Sequence, residues 1–210
     1  MKNEKTRVRR LPKRGFYDKE TIYGILDGNY LCHVAFQHED YPVIIPTAYG
    51  RLNDDIYIHG SSASRMQKDL AQGIKCCICV SKINDLVLAK SGFHHSMNYE
   101  SVVIFGIAEM VDDRTEKISA LKVISDSILE SRWEESRFPS EIELKATTVL
   151  KIPIVEASAK IRTGMPSDDP IDDDLKIWSG LIPLEFKYGE AVPVDPNIEI
   201  PPSVLNAKLK

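Results

Sequence analysis

Short apolar runs, each closed by polar turn residues, fill the first half of the chain and predict strands over residues 30–37, 42–49 and 56–59. Turns are expected at residues 38–41 and at Asn53-Asp54-Asp55. Cys77 and Cys79 alternate with Ile78 and Val80, so residues 75–83 read as a strand, hairpin-paired with residues 86–90 across Asn84-Asp85. A long apolar strand is expected over residues 101–111 and a final one over 148–160. Helical spacing replaces alternation in residues 114–131, where Ile118, Leu121, Ile124, Ile128 and Leu129 form one apolar stripe. Shorter helices are expected over residues 18–26, with Asp18 as N-cap and Gly28 near the end, over 64–71, closed by Gly73, and over 140–146.

Most predicted strands are joined by tight turns, which favours antiparallel pairing. Helices are few and follow the strands instead of alternating with them. The fold class is therefore mainly β, an antiparallel barrel with peripheral helices. From Gly164 onward the chain changes character. Five aspartates crowd residues 168–174, and Pro183, Pro193, Pro196, Pro201 and Pro202 break the remainder into extended pieces that wrap a surface. The expected organisation is a flexible basic arm over residues 1–14, one domain over 15–184 and a proline-rich tail over 185–210.

The 210 residues suffice for a sizeable core without disulfides. A net charge of −4 argues against a dedicated nucleic-acid binder. The arm is the exception: Lys2, Lys5, Arg7, Arg9, Arg10, Lys13 and Arg14 oppose only Glu4. It reads as a solvated arm, with a nucleic-acid or membrane patch as the lesser reading. No apolar run approaches a membrane span and no signal peptide opens the chain, so neither membrane nor nucleic acid is expected as a partner and the location is expected to be cytoplasmic. Cys32, Cys76, Cys77 and Cys79 match no zinc spacing and read as small apolar residues.

The segment Ile56-Tyr57-Ile58-His59-Gly60-Ser61-Ser62-Ala63-Ser64-Arg65-Met66-Gln67-Lys68 carries the most chemistry. It reads as strand, small-residue turn and first helical turn. Such a turn gathers unpaired N–H groups and the positive end of a helix dipole, as a bound phosphate requires. Arg65 and Lys68 share a helix face beside three serines. The plainer reading is equally open: Ser62 or Ser64 as N-cap, with two solvated cations.

Residues 91–101 join two strands and carry His94, His95, Ser96, Asn98, Tyr99 and Ser101. This polar loop reads as a ligand contact at a barrel mouth. His94 and His95 are adjacent, so both rarely bind one ion, and no metal site is expected. His33 reads as a half-buried core histidine, and the acidic run over 168–174 as a solvated loop. Trp178 reads either as an anchor for the tail or as a stacking surface for a flat ring. No dinucleotide fingerprint, Walker loop or nucleophile elbow occurs, so a cofactor is expected to carry any chemistry.

Five segments together resemble one family. They are Tyr57-Ile58-His59-Gly60-Ser61-Ser62-Ala63-Ser64-Arg65, Phe93-His94-His95-Ser96-Met97-Asn98-Tyr99-Glu100-Ser101-Val102-Val103, Glu143-Leu144-Lys145-Ala146-Thr147-Thr148-Val149-Leu150, Ser158-Ala159-Lys160-Ile161-Arg162-Thr163-Gly164 and Trp178-Ser179-Gly180. In order and spacing they resemble the flavin-nucleotide-binding branch of the pyridoxamine 5′-phosphate oxidase-like proteins, which includes proteins linked to nitroimidazole resistance. The likeness runs from about Arg10 to about Leu184.

The resemblance implies an FMN-binding split β-barrel and a homodimer with FMN in the crevice between subunits. It places Ser64, Arg65 and Lys68 at the FMN phosphate, Pro46, Thr47 and Ala48 along the isoalloxazine, and His59, Gly60 and Ser61 near the ribityl chain. His95, Asn98, Tyr99 and Ser101 would come from the loop-to-strand corner, with Asn98, Tyr99 and Ser101 supplied by the partner subunit. Lys160, Arg162 and Trp178 would close the site. Glu100 departs from the arginine the family often has there, and Met66 stands where many related oxidases have a basic residue. The substrate-phosphate residues of true pyridoxamine phosphate oxidases find no match. The implied function is an FMN-dependent oxidoreductase, a reductase or oxidase of a small aromatic or nitro compound, with NADH or NADPH as electron donor. The alternative is a non-catalytic flavin or haem carrier or sensor.

Overall fold

Strands and helices follow one another in a computed structural model that describes residues 1–207. A 3₁₀ turn at Pro12–Arg14 leads into β1 (Gly15–Phe16) and α1 (Lys19–Asp27); Asp18 caps α1 by accepting the Thr21 N–H at 2.8 Å. There follow β2 (Leu31–His38), β3 (Tyr41–Leu52), β4 (Asp55–Ser61), α2 (Arg65–Ala71), β5 (Lys75–Leu88), β6 (Ser96–Ile107) and β7 (Glu109–Met110). The chain continues through α3 (Arg114–Ile128), α4 (Glu141–Ala146), β8 (Thr147–Pro153), β9 (Glu156–Arg162), β10 (Gly180–Pro183) and α5 (Pro202–Leu205). Every pairing is antiparallel, in the order β1-β9-β6-β5-β2-β3-β4-β8-β7, with β10 on the end of β5. The fold class is the expected one.

Alternation decides which faces meet. Cys32, Val34 and Phe36 of β2 turn inward, as do Ile56 and Ile58 of β4, Ile78 and Val80 of β5 and Val102 and Ile104 of β6. Ile22, Ile25 and Leu26 of α1 and Met66 and Leu70 of α2 join the same core. The curled sheet is drawn together between β6 and β8. A Cβ on Gly106 would stand 2.8 Å from Ile152 Cγ2, an approach only glycine permits. A smaller apolar cluster of Tyr57, Val111, Ala120, Ile124 and Val149 holds α3 against the barrel. Ser127 fixes the far end of α3 by donating to the Tyr49 carbonyl at 2.5 Å.

Three boundaries differ from expectation. Residues 75–90 form no hairpin: β5 runs through Asn84-Asp85, and Asn84 is an extra residue between the pairs Ile83–Tyr99 and Asp85–Asn98. It is a β-bulge, and its carbonyl accepts the Leu184 N–H at 2.8 Å. β6 consequently begins at Ser96, inside the segment read as a loop. The single strand expected over 148–160 is two, β8 and β9, which lie in different parts of the sheet order. The first residues touch the barrel, with Asn3 and Lys5 reaching Glu156 and Thr6 buried, while most of residues 1–14 are exposed. Among the described residues no helix is long and apolar enough to cross a membrane, and no group of acidic, histidine or cysteine side chains could hold a metal ion.

Candidate functional site

The turn between β4 and α2 keeps its donors open. Ser64 occupies the N-cap position, and Gln67 stands three residues on, the spacing of a capping box. Ser64 nevertheless makes no capping hydrogen bond. The side chain of Gln67 is instead buried beside Gly60, and neither its Nε2 nor its Oε1 has a partner. Ser140 and Glu143, at the start of α4, have the same spacing and form both bonds of the box. The first-turn N–H groups of α2 are thus left for another acceptor. Ser62 N–H donates to the Ala146 carbonyl at 3.0 Å, which ties the turn to the end of α4. The Ser61 hydroxyl accepts the Ala63 N–H at 3.2 Å. Arg65 and Lys68 are exposed and form no ion pair among the described residues.

Neighbouring strands extend this group. Tyr49 pairs with Ile58, so Ala48 and His59 meet at the end of that ladder. Pro46 and Ala48 face outward from β3, while Thr47 points toward the core side opposite Cys32. His59 is half-buried; burial lowers its pKa, and its Nδ1 has no partner. Pro46 and Ala48 thus share a face of the sheet with His59, next to the turn that carries Gly60, Ser61, Ser64, Arg65 and Lys68, whereas Thr47 lies on the opposite face.

A second group lies on β6 and β9. Ser101 pairs with Lys160 and Tyr99 with Arg162. Asn98 is 2% exposed and Arg162 8%. The Arg162 guanidinium donates to Asn98 Oδ1 and, at 3.3 Å, to the Gly164 carbonyl. Asn98 Nδ2 donates in turn to Asp85 Oδ2 at 2.8 Å. Burial lowers the Arg162 pKa, with Arg14 adding repulsion. Two strands, β5 and β2, separate this group from β3, a distance of about 14 Å at three strand spacings. Within one protomer the two groups are apart.

The remaining residues sit on the rim. His95 Nε2 lies 3.2 Å from the Ala89 carbonyl, and Trp178 is 64% exposed with its ring over Gly180. The acidic run is not merely solvated: Asp168 accepts the Lys90 N–H at 2.6 Å, Asp169 meets His94 at 3.0 Å, and the Lys90 ammonium reaches the carbonyls of Asp172 and Asp173. This run clamps the loop before β6.

Sequence reasoning missed a cavity of about 720 Å³ between β2, β5, the end of α3 and residues 184–188. His33 lines it and is exposed, not a core residue, because Cys32 and Val34 take the inward positions of β2. That inward alternation was the available signal.

Comparison with known proteins places these features. A family model described as pyridoxamine 5′-phosphate oxidase matches residues 18–161. The flavocytochrome Anf3 from Azotobacter vinelandii has 34% sequence identity and a TM-score of 0.91, over 99% of this chain and 98% of its own. The FAD and heme binding protein from Mycobacterium smegmatis has 30% identity and a TM-score of 0.87, over 92% of this chain and 97% of its own. A candidate 5-nitroimidazole antibiotic resistance protein from Bacteroides thetaiotaomicron has 25% identity and a TM-score of 0.58, over 70% of this chain and 86% of its own. No curated protein matches. With well over half its length matched by the family model and a relative of one-third identity along nearly the whole chain, this protein belongs to the pyridoxamine 5′-phosphate oxidase family.

Proposed function

We propose that this protein binds a flavin nucleotide, with FMN, alone or as the flavin half of FAD, seated along β3 and its phosphate in the turn between β4 and α2. The observation that carries this is the unused capping box: Ser64 leaves its helix uncapped beside the orphaned amide of Gln67, with Arg65 and Lys68 unpaired above it. Uncommitted N–H groups and two cations suit a phosphate monoester or diester. The kinship with an FAD-binding protein supports the flavin.

A bound flavin would supply hydride or electron transfer. The protein's own part is to place and screen it. Exposed Pro46 offers strand surface, and Ala48 beside it packs against the cluster under α3. Lys160, beside Ser101, offers a cation for negative charge on a reduced pyrimidine ring. Trp178, over Gly180, is placed to cover an open face and exclude water. The reading is of an oxidoreductase acting on a small aromatic or nitro compound, with NADH or NADPH as donor.

The split between the two groups of site residues supports a homodimer, in which Tyr99 and Ser101 of a second copy complete the crevice; Asn98, expected to touch the flavin, is 2% exposed and bonded to Arg162, Asp85 and Gly164, so it positions that edge from behind. Tyr41, 72% exposed, and Ile44, 66% exposed, both on β3, provide apolar surface for such a contact. A second reading, a haem-carrying flavoprotein, draws on the two relatives of highest quoted identity, one a flavocytochrome and the other a FAD and heme binding protein. The test is the absorption spectrum of the purified protein, with mass spectrometry of any released cofactor. Protein that stays colourless after incubation with both FMN and FAD would sink the flavin reading.

A further inference from the structure

We infer that the 720 Å³ cavity seats a haem and that His33 is an axial ligand of its iron. The inference rests on the haem-carrying reading, and it assigns the site. The cavity contains none of the residues assigned to the flavin, and its volume is that of a cofactor pocket. Leu31, Ile83, Ile128, Leu184, Phe186 and Tyr188 give it an apolar and aromatic lining. These side chains are partly exposed along an open cleft, and such a lining suits a porphyrin face.

His33 is the histidine available for it. Of the five histidines, His38 is bound to Asp69 at 2.5 Å, His94 to Asp169 and His95 to the Ala89 carbonyl. His59 lines none of this cavity. His33 alone lines it, and its ring makes no hydrogen bond among the described residues. A neutral imidazole with a free nitrogen is the commonest haem ligand. Backbone pairing on both sides, to Pro46 of β3 and Cys79 of β5, holds His33 in the middle of the sheet, where a ligand's position is fixed. Lys187 lies in the wall and offers a cation to a haem carboxylate.

The wall formed by residues 184–188 is itself held in place. Leu184 N–H donates to the carbonyl of the bulged Asn84, and β10 pairs with β5 just before it. The bulge thus steers the tail across the cavity mouth.

The experiment is a hemin titration of the full-length protein, followed by the Soret band, with flavin absorption read in the same samples. Saturation at one haem per chain is expected. His33→Ala should weaken hemin binding about tenfold or more, the scale on which lost metal contacts are felt. It should also change the Soret band, and added imidazole should restore the ligated spectrum. Phe186→Ala should weaken binding without changing the ligation spectrum, and His94→Ala should change neither. The flavin spectrum should survive in His33→Ala. A Soret band in His33→Ala identical to the parent's overturns the assignment. A parent protein that takes up no hemin while still binding flavin removes the haem reading alone. Loss of flavin from His33→Ala would show that the cavity holds the flavin ring, and also overturns the assignment.

Discussion

The side-chain amide of Gln67 occupies the space a side chain at Gly60 would need: a Cβ there would stand 2.8 Å from Gln67 Nε2. Gln67 is 1% exposed and has no partner for either amide atom. A buried amide without partners is costly, so this contact is a local weak point of the packing around the turn.

Two substitutions separate packing from polarity at this contact. Gly60→Ala forces the amide to move and is expected to destabilise the protein by ~1–3 kcal/mol. Gln67→Leu removes two unsatisfied polar atoms and is expected to stabilise the cofactor-free protein by ~1–3 kcal/mol, while weakening flavin binding. Urea unfolding of the cofactor-free proteins reads both. A lower midpoint for Gln67→Leu would mean the amide has partners in solution.

Arg65 is expected to contribute a charge-assisted hydrogen bond to the flavin phosphate. Arg65→Ala should cost ~1.5–3 kcal/mol of flavin affinity, roughly ten- to a hundredfold in Kd. Because Arg65 is exposed and unpaired, the unfolding midpoint should not move. Flavin fluorescence titration measures the first and urea unfolding the second. Unchanged affinity would place the phosphate elsewhere.

Much of this site was legible in the residues, and the gaps have physical causes. The strand–turn–helix from Ile56 to Lys68 and the cap at Asp18 followed from local chemistry and appear as expected. Asn84-Asp85 carries turn residues, but the same residues suit a bulge, and only pairing with Tyr99 and Asn98 decides between them. The crossing at Ile154-Val155 was invisible because both residues suit a strand, and sheet order is not encoded locally. Ser64 and Gln67 spell a capping box that burial of Gln67 overrides. The cavity beside His33 could not be foreseen, since one wall comes from a tail about 150 residues further on, where Leu184 donates to the Asn84 carbonyl.

His59 gives the protein a specific acid sensitivity. Burial lowers its pKa from the ordinary 6.5, so the folded state resists protonation while the unfolded state accepts it. As pH falls through 6.5, the unfolded chain binds the extra proton and stability is lost, until the lowered folded value is reached and the loss levels off. Urea unfolding at pH ~7.5 and ~5.5 should show a smaller drop in His59→Gln than in the parent protein. Equal drops would mean that His59 titrates alike in both states.

The outward apolar residues of β3 predict self-association. The chain is 23.7 kDa, and light scattering is expected to report twice that mass. Ile44 is 66% exposed and lies opposite Ala35 on the outer face. Ile44→Asp would desolvate a charge in the proposed interface, and is expected to shift the protein to monomer and to weaken flavin binding with it. A parent protein of monomer mass that still binds flavin would remove the shared crevice from the proposal.

Asn98 is expected to be the most sensitive position in the second group. Its side chain takes the Arg162 guanidinium on one atom and gives hydrogen bonds to Asp85 and Gly164 from the other. Both Asn98 and Arg162 are nearly inaccessible to water, so the amide links a buried cation to a carboxylate two strands away in the ladder β9-β6-β5. Asn98→Ala leaves the guanidinium with the Gly164 carbonyl as its remaining neutral partner, and should cost ~1.5–3 kcal/mol, the worth of a hydrogen bond to a buried charge. Arg162→Met in the same background removes the stranded charge and should recover part of that loss. A double-mutant cycle by urea unfolding measures the coupling between them. Additive single-site losses, with no coupling, would show that Asn98 serves β6 alone and does not hold Arg162 for the site.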